Sequence, residues 1–236
     1  MNVDLDDIRD VRELLADVRC VLFDFDGPIC RLFPQGSSMR VADELRARVD
    51  GEDLVDVLTQ RERADKDPHV VLRAMHRARG QRDLGHLVAE LEALVTAGEV
   101  EAARRAWRTP GADSLVRLLA ERGYRLAVVT NNSPRAVDSY LQSHGLAKYF
   151  ASVHGRTASP ELMKPHPDVV IRALRSLNTA AADAVMIGDT PSDVEAAHRA
   201  GVRFIGYGRN SEKRARLREA GAKPVFTSYV PLLDRM

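Results

Sequence analysis

AVMIGDTPSDVEAAHRAGVRFIG, residues 184–206, runs through a complete structural cycle. Ala184–Gly188 is short, apolar and flanked by polar residues, as a strand covered by helices on both faces should be. Thr190 followed by Pro191 is a helix start, because a threonine side chain caps the first turn and proline loses no hydrogen bond there. Gly201 stands where the helix must end in a left-handed residue. Val202–Gly206 then opens the next strand.

The same cycle extends outward in both directions. Strands are expected at Arg125–Thr130 (RLAVVT), Phe150–His154 (FASVH) and Pro224–Thr227. Helices between them close on Gly123, Gly145 and Gly221 and open on Ser133-Pro134 and His166-Pro167. Alternating strands and helices of this kind imply an α/β fold built on a doubly wound parallel sheet. One further strand, Cys20–Phe25 (CVLFDF), lies far upstream. About eighty residues of another character separate it from the repeat. Helices are expected there at Met39–Val49, Asp53–Ala64, Pro68–Arg79, Asp83–Ala97 and Glu99–Trp107, with no strand. Leu84, Leu87, Val88, Leu91, Leu94 and Val95 follow helical spacing closely. The expected organisation is an N-terminal helical extension (1–19), an α/β core (20–36 and 108–236) and an inserted all-helical domain (37–107).

Composition narrows the function. Lys plus Arg (35) balances Asp plus Glu (34) in 236 residues, so no broad basic face invites nucleic acid or an anionic membrane. No apolar run approaches a membrane span, and the charge-rich first twenty residues do not read as a secretory signal. Cys20 and Cys30 read as small core residues of a cytoplasmic protein. Only five of the basic residues are lysines, so a lysine inside a motif stands out.

In a doubly wound sheet, reactive groups gather beyond the carboxyl ends of the strands. Four such ends carry candidates. Asp24-Phe25-Asp26-Gly27 places two carboxylates at i and i+2, on one side of the chain, with Phe25 facing the core. Such a pair can divide nucleophilic and acid/base work if a cation keeps the nucleophile ionised. Asp-x-Asp-Gly is also shared with calcium loops. Thr130-Asn131-Asn132-Ser133 offers a hydroxyl and backbone amides at a strand-to-helix turn, a natural phosphate cradle, although any helix start favours these residues. Lys164, in MKPHPD, supplies a compact positive charge, and His166 beside it caps the following helix. Gly188-Asp189-Thr190-Pro191-Ser192-Asp193 carries carboxylates that suit magnesium or simply favour a helix N-terminus.

Taken together in this order, DFDG at 24–27, VVTN at 128–131, KPHPD at 164–168 and GDTPSD at 188–193 resemble the haloacid dehalogenase-like hydrolase superfamily. The helical insert resembles the type-1 cap of its phosphoglycolate phosphatase-like branch. The resemblance implies a Rossmann-like core and a magnesium-dependent phosphatase acting through an aspartyl-phosphate. It implies that Asp24 attacks phosphorus and that Asp26 serves as acid and base. Thr130 and Asn131 would hold phosphoryl oxygens, with Lys164 balancing their charge. Asp24, the backbone carbonyl of Asp26 and Asp189 would bind the metal, with Gly27, Gly188 and Asp193 in support. Pro28 departs from the family's usual threonine, removing a hydroxyl and an N–H beside Asp26. A cost is therefore expected with poor leaving groups.

Asp26 favours a phosphate ester over a haloalkanoate, since a halide needs no proton. A phosphomutase of the β-phosphoglucomutase type and an idle binding module on the same fold are the rival readings. The expected partner is a small phosphate ester of the phosphoglycolate, sugar phosphate or nucleotide class, bound by a monomer or homodimer. Arg31, just before the insert, and Arg61, Arg63, His69, His76 and Arg79 within it are the candidates for choosing it, although each also reads as a solvated helix residue.

Overall fold

The computed structural model describes residues 5–80 and 83–235. The first four residues of the expected extension, and residues 81–82 of the insert, lie outside the described residues.

A helix α1 (Leu5–Ala16) leads into strand β1 (Cys20–Phe23), which ends beside Asp24. A short strand β2 (Cys30–Arg31) follows, and then the insert: α2 (Ser38–Asp50), α3 (Gln60–Ala64), α4 (Pro68–Arg79) and α5 (Gly85–Arg105). The chain returns through β3 (Trp107–Arg108) and α6 (Ala112–Glu121). It continues through β4 (Arg125–Val129), α7 (Pro134–Ser143), β5 (Phe150–His154), α8 (Asp168–Ser176), β6 (Ala184–Gly188), α9 (Pro191–Arg199), β7 (Arg203–Tyr207), α10 (Ser211–Glu219), β8 (Val225–Phe226) and α11 (Val230–Leu233).

Six strands form one parallel sheet in the order β5-β4-β1-β6-β7-β8. The chain winds outward from β1 on both sides, so the order reverses at the centre, where doubly wound sheets place their sites. Register aligns the strand ends: Phe23 stands beside Val128 and Ile187, which brings Asp24, Thr130 and Asp189 to one edge. Alternation divides the core in two. Val21, Phe23, Val128 and Ile187 pack on one face, while Leu22, Ala127, Val129 and Met186 pack on the other. Ile8, Val11 and Leu15 of α1 join the first face, so the N-terminal helix is a covering helix of the sheet.

The insert has its own apolar cluster, including Leu45, Leu72, Met75, Leu91 and Val95. Three expectations within or beside it need correction. Asp53–Ala64 is not one helix: Asp53 takes φ +54, and Thr59 and Glu62 form a capping box that starts α3 afresh. The two helices expected on either side of Gly98 are one, α5. Gly98 belongs inside it because a Cβ there would meet Val41 Cγ2 of α2 at 2.7 Å. Strands do occur at the insert's two ends: β2 and β3 pair antiparallel, Cys30 with Arg108 and Arg31 with Trp107. Among the described residues, no helix is long and apolar enough to cross a membrane.

Candidate active site

Asp24 leaves β1 with its backbone N–H bonded to the carbonyl of Ile187, so the sheet ladder fixes the point where its side chain emerges. The carboxylate is buried, and Lys164 Nζ donates to its Oδ1 at 2.7 Å. The same ammonium lies 2.6 Å from Asp193 Oδ1 and donates to the Val129 carbonyl at 3.1 Å. Lys164 therefore bridges the ends of β1, β4 and the β6–α9 turn. Its own backbone is clamped by Asn131, whose Oδ1 accepts from Lys164 N at 2.7 Å and whose Nδ2 donates to Lys164 O at 3.2 Å.

Asp193 is committed on both oxygens. Oδ2 accepts from the N–H groups of Asp189 and Thr190 and from the Thr190 hydroxyl, completing a capping box at α9. Its place is to hold the β6–α9 turn and Lys164. Asp189 is different. Lys213 Nζ donates to Oδ2, while Oδ1 is buried with no hydrogen-bond partner. Two glycines let these carboxylates come so close. A Cβ on Gly27, which sits at φ +121, would meet Asp189 Cγ at 2.3 Å, and one on Gly188 would meet Asp193 Cβ at 2.5 Å.

Asp24, Asp189 and Asp193 lie within 4.8 Å of one another, all buried. Burial, and then the neighbouring carboxylates Asp193 and Asp189, push Asp24 up to about 7 against the pull of Lys164. Burial likewise pushes Asp189 up to about 7, with Lys213 opposing. Crowded, desolvated carboxylates with one orphaned oxygen fit a hard divalent cation, which takes oxygen ligands and offsets their repulsion. Asp24, Asp189 and Asp193 are the side chains placed closely enough to hold one, and Asp189 Oδ1 is the oxygen left without a donor.

Asp26 is half-buried and does not join that carboxylate cluster; burial pushes it up to about 6. Its Oδ1 accepts from Leu32 N at 2.8 Å, a restraint independent of residue 28. Thr130 is buried at the end of β4. Its hydroxyl donates to Asn132 Oδ1 at 3.0 Å and accepts from Asn132 N at 3.1 Å. A cavity of about 450 Å³ opens over Asp24, Asp26, Thr130, Asn131 and Lys164, and the insert roofs it with Ser38, Lys66 and His69.

Of the six residues offered for choosing a substrate, only His69 borders this cavity. Its ring is already engaged, with Nδ1 at 3.1 Å from Asp67 and Nε2 at 2.9 Å from Glu99. Elsewhere, Arg31 stacks over Trp107 and Arg63 pairs with Asp50. The N-cap of α8 is Pro167 and not His166, which stands one residue earlier and accepts from Asp168 N at 3.2 Å. Sequence reading missed Lys66, Lys213, Glu99 and Arg156. Lysine scarcity could have flagged the first two. Nothing in the local sequence distinguishes Glu99 from a solvated helix residue.

The family model described as haloacid dehalogenase-like hydrolase matches residues 52–207, roughly two thirds of the chain. The chain belongs to this family. The matched stretch holds Thr130, Lys164 and Asp189, whereas Asp24 and Asp26 lie before it. Among relatives, the phosphoglycolate phosphatase of Rhodospirillum rubrum is 38% identical over 127 residues, covering 53% of this chain and 51% of its own length. That of Vibrio parahaemolyticus is 37% identical over 94 residues, covering 39% and 41%. The matches thus span about half the length of these curated relatives. A crystal structure of CbbY from Rhodobacter sphaeroides in complex with phosphate superposes with a TM-score of 0.65 at 24% identity. It covers 92% of this chain and 99% of that one, a likeness of fold.

Proposed function

We propose that this haloacid dehalogenase-like protein is a magnesium-dependent phosphatase of a small phosphorylated metabolite and works through an aspartyl-phosphate. The observation that carries the reading is the Asp24 carboxylate at the cavity floor, paired with Lys164 at 2.7 Å and crowded by Asp189. A cavity of about 450 Å³ suits a phosphoglycolate, a sugar phosphate or a nucleotide. The relatives named phosphoglycolate phosphatase support the first of these most directly.

In this reading Asp24 Oδ attacks phosphorus, the new O–P bond forms and the ester P–O bond breaks. Asp26 delivers its proton to the departing oxygen. It then takes a proton from the water that attacks phosphorus, releasing phosphate and restoring Asp24. The Thr130 hydroxyl and the Asn131 amide hold the phosphoryl oxygens, and Lys164 balances their charge while keeping Asp24 ionised. Asp193 positions Lys164, and Gly27 and Gly188 permit the close approach of the carboxylates. Magnesium, held by Asp24, the Asp26 carbonyl and Asp189, would supply charge neutralisation and in-line orientation. Residues 37–107 serve as the cap that closes the cavity over the core of 20–36 and 108–236, with 1–19 as an extension.

The test is phosphate release from an aryl phosphate and a panel of small esters. Activity should stop with EDTA and return with magnesium. Asp24→Asn should cost at least about 10³-fold in kcat, since a neutral amide is a poor nucleophile. Unimpaired turnover by that variant would sink the mechanism.

A further inference from the structure

Glu99 lies in the middle of α5, in the insert, and is completely buried. Its donors come almost entirely from across the boundary with the sheet. Asn132 Nδ2 donates to Oε1 at 3.2 Å and Ser133 N donates to Oε2 at 2.8 Å. Arg156 Nη1 reaches both oxygens, at 2.9 and 3.2 Å, and donates to the Asn131 carbonyl at 3.1 Å. His69 of α4 completes the shell. Glu92 and Thr96, on the same face of α5 as Glu99, take the other guanidinium nitrogens of Arg156. The groups gripped, directly or through Arg156, belong to residues 131, 132 and 133, the turn that follows β4.

An ionised carboxylate can only accept hydrogen bonds. The Asn132 amide must therefore turn its NH₂ toward Glu99 and its oxygen toward Thr130, where the hydroxyl bonds to it. One end of the Asn131–Asn132 peptide is held by Arg156 and the other by Thr130. A buried ion pair is seldom the cheapest way to stabilise a fold, because apolar residues of similar volume do as well or better. Here the charge achieves what an apolar residue could not: it dictates the orientation of three consecutive polar residues.

We propose that Glu99 is a positioning residue of the phosphate cradle, through which the helical insert sets the geometry of the 130–133 turn. The inference rests on the reading that Thr130 and Asn131 hold phosphoryl oxygens. Because the cradle grips the phosphoryl group in ground and transition states alike, losing its alignment should act on binding.

The experiment measures the inhibition constant of inorganic phosphate, KM, kcat and Tm in magnesium-loaded protein. In Glu99→Gln, which keeps shape and removes charge, phosphate inhibition and KM should weaken together by about tenfold, with kcat changing less than about threefold. Asn132→Ala spares the Glu99–Arg156–His69 ion cluster and cuts only its tie to Thr130. It should reproduce the binding loss with a smaller fall in Tm, and it decides the matter if Glu99→Gln does not fold. A fall in Tm with phosphate inhibition and KM unchanged would make Glu99 merely structural and overturn the proposal. Thr130→Val separates the two levels. If it weakens phosphate while Glu99→Gln and Asn132→Ala do not, the inference alone fails. If Thr130→Val leaves phosphate inhibition unchanged, the cradle reading fails and the inference falls with it.

Discussion

At the sheet edge, Asp24, Asp189 and Asp193 face Lys164 and Lys213, with Asp26 close by. Behind the cavity, Glu99 and Glu92 face Arg156, and His69 sits between Asp67 and Glu99. Both clusters bury charge, but the first carries an excess of carboxylates and the second comes near to balance. Burial acts on both in the same direction. It leaves Asp24 and Asp189 pushed up to about 7, because like charges reinforce it. Burial also presses upward on Glu99, yet the His69 hydrogen bond and the Arg156 guanidinium hold that carboxyl below its ordinary value. In the insert's cluster both oxygens of Glu99 have donors, and Glu92 Oε2 accepts from Arg156 while its Oε1 has none among the described residues. The sheet-edge cluster keeps more carboxylates than cations, which is the charge imbalance that the proposed divalent ion would offset.

Removing one carboxylate from each cluster should therefore have opposite consequences for stability. Glu99→Ala leaves the buried Arg156 with Glu92 alone and His69 with Asp67 alone, and should cost about 3 kcal/mol. Asp24→Asn relieves crowding, and in EDTA should cost nothing or stabilise slightly. Urea unfolding of both variants without metal compares them directly. Equal losses would erase the distinction between the two regions.

The balanced cluster also has a pH signature. His69 is pushed up to about 9 from an ordinary 6.5: burial opposes its charge, but Asp67 and then Glu99 outweigh it. Arg156, at 3.2 Å from Nε2, works against the proton. The unfolded chain loses this proton near 6.5, whereas the folded protein keeps it until about 9. The contribution is therefore whole below pH 6.5 and vanishes as pH rises through 9, a change of at most about 3 kcal/mol. Unfolding free energies of wild type and His69→Gln across this window should converge as pH rises. A gap that stays constant or widens would mean that His69 is not charged in the fold.

The two regions were not equally legible. Strand periodicity, capping pairs such as Thr190-Pro191 and terminal glycines such as Gly201 are local, so the sheet and the residues at its strand ends could be read from neighbouring positions. Asp24, Asp189 and Asp193 meet because each follows a strand or opens a helix whose place the topology dictates, and Lys164 joins them from the loop between β5 and α8. Glu99 meets Arg156 only because two helices and a loop far apart in the chain pack together. A glutamate inside an amphipathic pattern carries no mark of that. The break in Asp53–Ala64 was missed for a related reason, since a left-handed Asp53 leaves no compositional trace. Helix α5 runs unbroken through Gly98 because Val41 of another helix fills the space.

Lys213 sharpens the comparison from the other side. It is the sheet edge's own stand-in cation on Asp189, reaching in from α10. A divalent ion must share or displace it. Lys213→Met should therefore tighten magnesium binding by about tenfold, or about 1.4 kcal/mol, in calorimetric titration of the substrate-free protein. Weaker binding would show that Lys213 supports the metal and does not compete with it.

The smallest effect is expected at Pro28, close in the chain to Asp26, the proposed acid/base. Proline there removes an N–H that a threonine would offer to Asp26. The loop closes nonetheless through Gly27 N to Cys30 O, and through Ile29 N and Cys30 N to Phe25 O, none of which needs a donor at residue 28. The Pro28 carbonyl accepts from the Tyr229 hydroxyl at 3.1 Å, a bond any residue would keep. Leu32 N, at 2.8 Å, already supplies Asp26 with a directed restraint. Pro28→Thr should thus change kcat by less than about twofold, some 0.4 kcal/mol, for an alkyl phosphate and an activated aryl phosphate alike. The alkyl ester is the sensitive probe, because its poor leaving group depends most on the proton from Asp26. A gain of fivefold or more confined to the alkyl ester would show that the Leu32 bond does not replace the missing donor. The sheet edge would then depend on a residue at 28 for its acid/base, as the cradle is proposed to depend on Glu99.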